Sequence, residues 1–578
     1  YVAPGEPGGA QIWVRYMDAE GATTQITRLT EAPAGVEWSP DGKSIGFGML
    51  VRGTDTWKIA MPTPPRGAKW AEPPRVVTKV KYRADRQGFL EDGLRQLFTV
   101  PADGGTPTQV TSGDWAANGT TWMPDGKSFV FTSLRTAEAE YAWRQSDIYK
   151  VDIATGAVSA LTSRNGPDNS PVPSPDGRFI AYTGYDSTDA TWKDAIMYVM
   201  DADGKNARAL TEKLDRSPSG MMWASDASGV YFNVENEGSR NLYFVSLKGA
   251  IRQVTKGTHV LTVSDINRNF MAVGVATSPM KPNDIVTFDV RTPAIKQLTE
   301  VNADVLAGKQ LATTEEVWYT SVDGQRIQGW IVKPAGFDAK KKYPLMLEIH
   351  GGPHSAYGEG WFDEFQNLAA QGMFVLFTNP RGSSGYGGDF TYSTRGRWGM
   401  EDYDDLMKAV DIVAARADVD STKMGATGGS YGGFMTTWIA TKTDRFKAIE
   451  TDRTITDWTY WYGSSDAQGL TEFEFYGKPW DNQALYDTLS PIRYVQKVKT
   501  PMLLVQSEED HRTPMGSAEI WFMSLKKQGV PVEMVRYPRS NHDLSRSGEP
   551  WLLVDRLGRI RQWFAFWLQG VKPGTAGN

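Results

Sequence analysis

The stretch Thr427-Gly428-Gly429-Ser430-Tyr431-Gly432-Gly433 contains the pattern Gly-x-Ser-x-Gly between two segments of different character. Residues 423–427 can end a strand, and residues 434–441 can begin a helix. A serine on such a sharp strand-to-helix turn exposes its hydroxyl, and Gly428 and Gly432 are needed because side chains there would collide across the turn. The pentapeptide alone is also compatible with an ordinary glycine-rich turn. Ser430 is therefore a candidate nucleophile whose partners must lie elsewhere in the chain.

Two of the five histidines, His511 and His542, follow Ser430 in the sequence. In an α/β-hydrolase site the acid and then the histidine follow the serine. The apolar run 502–505 predicts a buried parallel strand, and Asp510 lies on the loop after it. His542 follows the next strand candidate, whereas the ring of His511 could hardly receive its neighbour's carboxylate and also face the serine. We predict Asp510 and His542 as the partners and place His511 at the rim of the site.

An oxyanion site needs two backbone N–H donors near the serine. One is the N–H of Tyr431, which directly follows the nucleophile. The other is expected from an early strand-to-helix loop, and the apolar strand candidate 343–349 ends in His350-Gly351-Gly352-Pro353. We predict the N–H of Gly352 as the second donor. For His350 we favour a structural role in holding its loop over a catalytic one.

Seven motifs carry a family resemblance: HGGP at 350–353, NPRGSSGYG at 379–387, WGMEDYDDL at 398–406, GGSYGGFMT at 428–436, YGKPWDN at 476–482, EEDHRTP at 508–514 and NHD at 541–543. On these motifs the chain resembles the prolyl oligopeptidase family, and most closely its acylaminoacyl-peptidase and dipeptidyl-peptidase branch. The resemblance spans nearly the whole chain.

The resemblance implies a serine peptidase that needs no cofactor. Ser430 would be the nucleophile, His542 the general base and then acid, and Asp510 the group that orients the imidazole. Arg512 would hold a backbone carbonyl of the bound peptide; the alternative for Arg512 is a surface cation.

Composition excludes several other classes of function. The chain has 578 residues, 40% hydrophobic and 22% charged, which predicts a soluble globular protein of two or more domains. A formal net charge of −6 gives no basic face for nucleic acid, and no apolar run approaches a membrane span. There are no cysteines and no His-Glu-x-x-His spacing, so disulfides, cysteine-ligated zinc and a metalloprotease centre are excluded.

The start of the chain carries no methionine, charged segment or apolar signal core. We expect from this that a preceding segment has been removed. The compartment, cytoplasmic or periplasmic and secreted, therefore stays open, as does the oligomeric state, for which a homo-oligomer is one possibility.

The first 300 residues contain a degenerate repeat. Tryptophan or proline followed by a Pro-Asp-Gly type turn recurs at 38–43, 122–127, 173–178 and 223–226, each before an apolar run. A second landmark, an apolar residue and a threonine, recurs at Thr30, Thr111, Thr162, Thr211, Thr255 and Thr299, at intervals of 81, 51, 49, 44 and 44 residues by subtraction. Such a period predicts propeller blades of four strands and disfavours a β-sandwich. The wide first interval has room for an extra blade, with residues 74–78 as its landmark, so about seven blades are expected.

The predicted fold is thus an N-terminal β-propeller over residues 1–305 and a C-terminal α/β-hydrolase domain with a mostly parallel sheet over residues 306–578. Asp323-Gly324 predicts a hairpin turn at the start of the second domain. In this family the propeller restricts entry, which implies short peptides as substrates.

Further substrate-binding candidates come from both predicted domains. Aromatic residues crowd between 452 and 480, where family members line the specificity pocket, and Trp458 and Tyr462 are the candidates there. They would favour an apolar residue before the scissile bond. Glu138 and Glu140 lie in a predicted insertion between blade strands. Related dipeptidyl peptidases bind the substrate's ammonium group with acidic residues of the propeller, but these two glutamates do not clearly match that double-acid motif, and a solvated loop is the favoured interpretation.

Three interpretations of the function remain. The first is a serine peptidase that releases N-terminal acylated residues or dipeptides, or cleaves short oligopeptides internally. The second is a carboxylesterase with the same triad, against which the propeller and Arg512 argue. The third is a propeller binding module with a vestigial hydrolase half, which the complete set of Ser430, Asp510 and His542 disfavours.

Overall fold

The computed structural model describes residues 1–18, 20–53, 59, 61–71, 74–142 and 144–572. The N-terminal half is built almost entirely from short antiparallel strands. They are β1 Val2–Pro4, β2 Ala10–Arg15, β3 Thr23–Gln25, β4 Ala34–Trp38, β5 Ser44–Arg52, β6 Arg83–Ala84, β7 Gly88–Phe89, β8 Gly93–Pro101, β9 Thr108–Gln109, β10 Asn118–Trp122, β11 Ser128–Ser133, β12 Asp147–Asp152, β13 Val158–Ala160, β14 Asp168–Pro173, β15 Phe179–Gly184, β16 Ile196–Asp201, β17 Arg208–Ala209, β18 Pro218–Trp223, β19 Gly229–Asn236, β20 Ser239–Ser246, β21 Ile251–Gln253, β22 Val260–Ile266, β23 Met271–Ser278, β24 Lys281–Asp289 and β25 Lys296–Gln297.

These strands form six successive blades of a propeller in the described residues. The first has three strands, β1 to β3, and the others have four: β4-β5-β8-β9, β10 to β13, β14 to β17, β18 to β21 and β22 to β25. A single parallel pair, Arg240 with Val260, joins the last two blades. Apolar side chains from the facing sheets pack between neighbouring blades, as Ile12, Phe47 and Phe98 do between the first two.

Both repeated sequence landmarks have a structural reason. In Ser39-Pro40-Asp41-Gly42 the N–H of Gly42 donates to the Ser39 carbonyl at 2.9 Å, and Gly42 has φ 69°, which glycine adopts without strain. The hydroxyl of Thr111 accepts the N–H of Leu97 at 2.9 Å and so ties the outer strand of its blade to the next strand inward. The same bond recurs at Thr162, Thr211, Thr255 and Thr299.

The repeat spacing identified the wrong threonine as the landmark of the first blade. It also predicted an extra blade in the wide first interval. In the first blade Thr27, not Thr30, accepts the N–H of Ile12 in β2. Strands β5 and β8 pair directly along their whole length, so the residues between them are an insertion within one blade. That insertion contains the small hairpin β6–β7, and residues 74–78 form no strand. The predicted extra blade is therefore absent from the described residues, and the count of seven is not confirmed.

The C-terminal half is an α/β domain. Its strands are β26 Thr314–Thr320, β27 Arg326–Val332, β28 Tyr343–Ile349, β29 Phe374–Asn379, β30 Val419–Gly428, β31 Ala448–Asp452, β32 Met502–Ser507 and β33 Val532–Tyr537. Its helices are α1 Ala303–Leu306, α2 Asp363–Ala370, α3 Gly388–Tyr392, α4 Glu401–Ala414, α5 Tyr431–Lys442, α6 Trp458–Ser464, α7 Gly469–Glu474, α8 Gln483–Leu489, α9 Gly516–Lys527 and α10 Pro550–Gln569, with a 3-10 helix at Pro491–Lys497.

The strands of this domain make one eight-stranded sheet in the order β26-β27-β29-β28-β30-β31-β32-β33. The pairs from β29 to β33 are parallel, and β26–β27 is an antiparallel hairpin that turns at Asp323 and Gly324. Apolar clusters cover both faces of the sheet. Helix α5 is buried nearly all round, because it lies at the centre of one of these clusters. Its N-terminus is thereby fixed at the carboxyl edge of the sheet.

That edge faces the propeller. The N–H of Glu359 donates to the Gly238 carbonyl at 2.8 Å, and the N–H of Trp361 donates to the Thr277 hydroxyl at 3.0 Å. The two domains therefore enclose the loops that follow the parallel strands.

Candidate active site

Gly429 and Ser430 form the turn between β30, which ends at Gly428, and α5, which begins at Tyr431. The Ser430 backbone has φ 64° and ψ −119°, a conformation that non-glycine residues rarely adopt. The turn is held by two backbone bonds: Ser430 donates to the Asp452 carbonyl at 3.0 Å, and Phe434 donates to the Ser430 carbonyl at 2.9 Å. The side chain of Ser430 consequently faces the space between the two domains.

The flanking glycines are required by close approach of the neighbouring strand. A Cβ on Gly432 would lie 2.2 Å from the Ile349 carbonyl oxygen, and one on Gly428 would lie 2.7 Å from the same atom. Both contacts are with backbone, which cannot move without disturbing the loop after β28. The tight turn thus depends on glycine at both positions.

We expect Gly432→Ala to lower the stability of the hydrolase domain by about 3 kcal/mol, because the new methyl group must push the β28 backbone aside. Gly558→Ala is the matched control, since Gly558 lies inside α10 and a Cβ there meets nothing within 4 Å. Alanine at that position should be neutral or stabilising by up to about 1 kcal/mol. The midpoint of thermal unfolding measures both variants. Equal midpoints for the two variants would contradict the steric argument.

The structure brings the three predicted triad residues together. The Nε2 atom of His542 lies 3.0 Å from the Ser430 Oγ, and its Nδ1 lies 2.9 Å from Oδ2 of Asp510. His542 follows β33 and Asp510 follows β32, so both residues project from loops at the same sheet edge as the serine. Asp510 is 2% exposed and His542 is 9% exposed, so water has little access to this chain of hydrogen bonds.

The carboxylate of Asp510 is fixed by three further hydrogen bonds. Its Oδ1 accepts the N–H of Arg512 at 2.9 Å and of Thr513 at 2.7 Å, and Oδ2 accepts the Thr513 hydroxyl at 2.8 Å. Oδ2 is also the atom that faces the ring of His542. The orientation of the carboxylate is therefore set independently of the histidine.

The loop after β28 lies over the serine. The position of a Cβ on Gly351 would be 3.3 Å from the Ser430 Cβ, and Gly351 and Gly352 line the same cavity as Ser430. His350 is buried, with one ring nitrogen 2.6 Å from the Gly351 carbonyl and the other 3.0 Å from the Ser383 hydroxyl. Burial lowers the pKa of His350 to about 4, so the ring is neutral and serves to hold the loop.

The side chain of Tyr431, the residue after the nucleophile, is anchored by a hydrogen bond. Its phenol donates a hydrogen bond to the buried carboxyl group of Asp402, at the start of α4. Burial raises the pKa of Asp402 to about 6. This contact anchors the first residue of α5 and, with it, the backbone N–H that follows Ser430.

A cavity of about 600 Å³ lies between the domains and contains both Ser430 and His542 in its lining. One apolar wall in the hydrolase domain includes Trp398, Ile455, Trp458, Trp461, Ala467 and Leu470, and Tyr357, Trp361, Phe362 and Phe365 also line the cavity. Trp458 is completely buried and packs edge-on against Trp398 with ring centroids 5.1 Å apart. Tyr462, by contrast, is not among the lining residues; its hydroxyl donates to Glu472 at 2.8 Å.

Of the charged residues predicted to bind substrate, one lines the cavity and two do not. Arg512 lines the cavity, with a side chain 43% exposed and paired to Asp466 at 2.6 Å. Glu138 and Glu140 are exposed and do not line the cavity. The Oε1 atom of Glu140 instead accepts the N–H of Val80 at 2.9 Å, within the propeller.

Sequence reasoning missed three residues around the triad. Arg453 donates to the His542 carbonyl at 3.2 Å, and Asp466 pairs with Arg512. Arg453 directly follows β31, so its place at the carboxyl edge was a usable signal. Asp85, from the propeller insertion, accepts the backbone N–H of His542, and no local sequence pattern marks it.

In the part of the chain that the structure describes, no helix combines the length and apolar character needed to cross a bilayer. Within the same residues no cluster of three or more His, Asp or Glu side chains is arranged to hold a metal ion.

Family models and individual proteins of known sequence both match this chain. Residues 361–571 match the model described as the prolyl oligopeptidase family, and residues 87–260 match the TolB β-propeller domain. The chain is 34% identical to the Bacillus subtilis protein named uncharacterized peptidase YuxL, over 98% of this chain and 87% of the relative. It is 28% identical to dipeptidyl-peptidase 5 of Porphyromonas gingivalis, over 88% and 76%.

Among solved structures, the fold is similar to that of Pyrococcus horikoshii acylaminoacyl peptidase, with a TM-score of 0.83, 24% identity, and coverage of 98% of this chain and 86% of that one. The likeness confirms the pairing of an N-terminal propeller with a C-terminal peptidase domain. The family-model match and the 34% identity to the Bacillus subtilis peptidase over 98% of the chain show that the chain belongs to the prolyl oligopeptidase family of serine peptidases.

Proposed function

We propose that Ser430, His542 and Asp510 hydrolyse peptide bonds through an acyl-enzyme. The hydrogen-bonded chain from Ser430 Oγ through the imidazole to Asp510 is the observation that carries this proposal. The imidazole Nε2 takes the hydroxyl proton as Ser430 attacks the scissile carbonyl, and then gives it to the departing amine. In the second step Nε2 takes a proton from water, which attacks the acyl carbonyl and releases Ser430.

The oxyanion that forms in both steps needs donors that are already in place. The N–H of Tyr431 has this role because it is the first amide after the nucleophile, and its residue is anchored through Asp402. The N–H of Gly352 is the second donor in this proposal. It belongs to a glycine loop that lies against Ser430 and is held by the neutral ring of His350.

The cavity favours an apolar side chain before the scissile bond. Its wall of tryptophan, isoleucine and leucine offers dispersion contacts to an apolar side chain. The arginines elsewhere in the lining are each paired with a carboxylate of the protein, so none is free to partner an acidic substrate side chain: Arg240, Arg453, Arg512, Arg546 and Arg556. Arg512 is placed at the cavity surface with part of its guanidinium exposed, so it can donate to a carbonyl of the bound peptide. Enclosure between two domains favours short peptides over folded proteins.

The carboxylates of the propeller bear on how the amino terminus of a substrate is selected. Glu138 and Glu140 lie outside the cavity lining. The propeller carboxylate that does line it, Glu235, is already paired with Arg240 at 3.0 Å and contacts Ser384. Among the described residues the propeller therefore presents no unpaired carboxylate to a substrate ammonium group, which favours release of acylated residues over dipeptides.

A set of chromogenic substrates tests both points. We expect acetylated phenylalanine and leucine derivatives to have kcat/KM values at least about 10-fold above the acetylated aspartate derivative, because burying an unpaired charge in the apolar pocket is costly. We also expect the acetylated single residue to be cleaved faster than a free dipeptide ending in the same residue. Preference for the free dipeptide would instead assign dipeptidyl release, and equal rates for aspartate and phenylalanine would contradict the apolar pocket.

A further inference from the structure

A hairpin from the propeller reaches the loops that carry the triad. We define the insertion hairpin as residues 83–89, which contain β6 and β7 and belong to the insertion between β5 and β8. It forms no part of the blade sheets, because β5 and β8 pair directly without it. Its side chains and backbone instead contact the hydrolase domain.

Asp85, at the turn of this hairpin, contacts both loops that supply the acid and the base. Its Oδ1 accepts the backbone N–H of His511 at 3.2 Å and the backbone N–H of His542 at 3.2 Å. His511 is the residue next to Asp510 in the chain. One carboxylate oxygen thus bridges the loop after β32 and the loop after β33.

Neighbouring contacts surround this bridge. The backbone N–H of Asp85 donates to Asp466 Oδ2 at 2.7 Å, and Asp466 in turn pairs with Arg512. Arg86 forms an ion pair with Asp543, the residue after His542. The insertion hairpin therefore contacts the residues that directly follow the acid and the base, His511 and Asp543, and the backbone of His542 itself.

The location of Asp85 argues against an incidental domain contact. Burial and the nearby charge of Asp510 both raise the pKa of Asp85, so the protein holds a second carboxyl group beside the triad acid at an energetic cost. The two N–H donors offset that cost only if Asp85 sits between the two loops, which is where it lies.

We propose that Asp85 is a positioning residue that fixes the separation between the loops of Asp510 and His542, and with it the orientation of the imidazole toward Ser430. This inference rests on the proposed triad. It makes the catalytic arrangement of the hydrolase domain depend on a residue of the propeller.

Removing the acceptor should impair turnover more than binding. We expect Asp85→Ala to lower kcat by about 10- to 100-fold, the loss typical of a reacting group displaced by up to about 1 Å, while KM changes less than about 3-fold. The rate of covalent labelling by a fluorophosphonate should fall in parallel, since this probe reacts with the activated serine without peptide binding. Asp85→Asn should recover kcat to within about 3-fold of wild type, because its amide oxygen can still accept both N–H groups.

Two controls separate positioning from folding. Asp92→Ala removes an exposed acid of the same insertion, paired there with Lys79, and should leave kcat and the unfolding midpoint unchanged. If Asp85→Ala does not fold, Asp85→Glu takes its place: it keeps the charge but moves the acceptor by one methylene, and it should also lower kcat.

The outcomes distinguish this inference from the proposed function. Wild-type kcat in Asp85→Ala would overturn it, as would an Asp85→Asn variant as impaired as Asp85→Ala. Ser430→Ala, measured in the same series, tests the triad itself. Loss of activity in Ser430→Ala together with normal turnover in Asp85→Ala would overturn the role of Asp85 alone, whereas activity retained in Ser430→Ala would overturn both.

Discussion

Ser430→Ala should lose kcat on the order of 10⁶-fold, because no acyl-enzyme can form without the hydroxyl and the remaining oxyanion donors supply little rate on their own. The fold should tolerate the change. Alanine meets the same backbone restriction at φ 64° as serine does, and the turn is held by backbone bonds of residues 430 and 434 that the substitution leaves in place. Substrate affinity, measured by equilibrium binding, should stay near that of the wild type.

Ser421→Ala is the matched control for this substitution. Ser421 is an exposed serine of the same strand, β30, and its loss should leave kcat/KM unchanged. The measurement is kcat on the preferred chromogenic substrate, at enzyme concentrations high enough to detect a residual rate. A Ser430→Ala rate close to wild type would contradict the assignment of the nucleophile.

The nucleophile could be found from sequence because its constraints are local. A serine between glycines at the end of an apolar strand specifies the turn, and the close approach of Ile349 to Gly428 and Gly432 is the physical reason for that pattern. The acid and the histidine follow from the same logic, since loops after parallel strands converge at one edge. The propeller repeat could be recognised for a related reason: four blades share one turn, and all six share one threonine bond.

The misplaced features depend on contacts that no local pattern encodes. Thr27 and Thr30 each follow an aliphatic residue, Ile26 and Leu29, and only the pairing of β2 with β3 selects Thr27. The wide interval looked like a blade because length alone does not distinguish a new sheet from an insertion. The contact of Asp85 with His542 could not be predicted from a local pattern, because His542 lies 457 positions later in the chain.

The substrate-binding candidates show the same limit. Trp458 lines the cavity and Tyr462 does not, although both belong to α6 and both are aromatic. The choice is made by α7 and α8, because Glu472 accepts the Tyr462 hydroxyl and Tyr486 packs perpendicular to its ring. Composition identified the region of the pocket, and packing decided which rings face it.

Asp510→Asn should lower kcat by about 10⁴-fold with a far smaller change in KM, as removal of the charge from a triad acid does elsewhere. The hydrogen bonds of this carboxylate give the reason. Oδ1 accepts two backbone N–H groups, from Arg512 and Thr513, so the amide oxygen of asparagine must occupy that side. The amide NH₂ group then faces His542 Nδ1 in place of Oδ2.

An NH₂ group in that position donates to Nδ1, so the imidazole proton moves to Nε2 and faces Ser430, where it can no longer accept the hydroxyl proton. The same group also faces the Thr513 hydroxyl, which must turn away. Glu509→Gln is the matched control, since it neutralises the adjacent, exposed acid and should leave kcat unchanged. Because the tautomer, and not substrate binding, is altered, labelling by a fluorophosphonate should slow in step with kcat. An Asp510→Asn variant with kcat within about 10-fold of wild type would show that the carboxylate does not fix the tautomer.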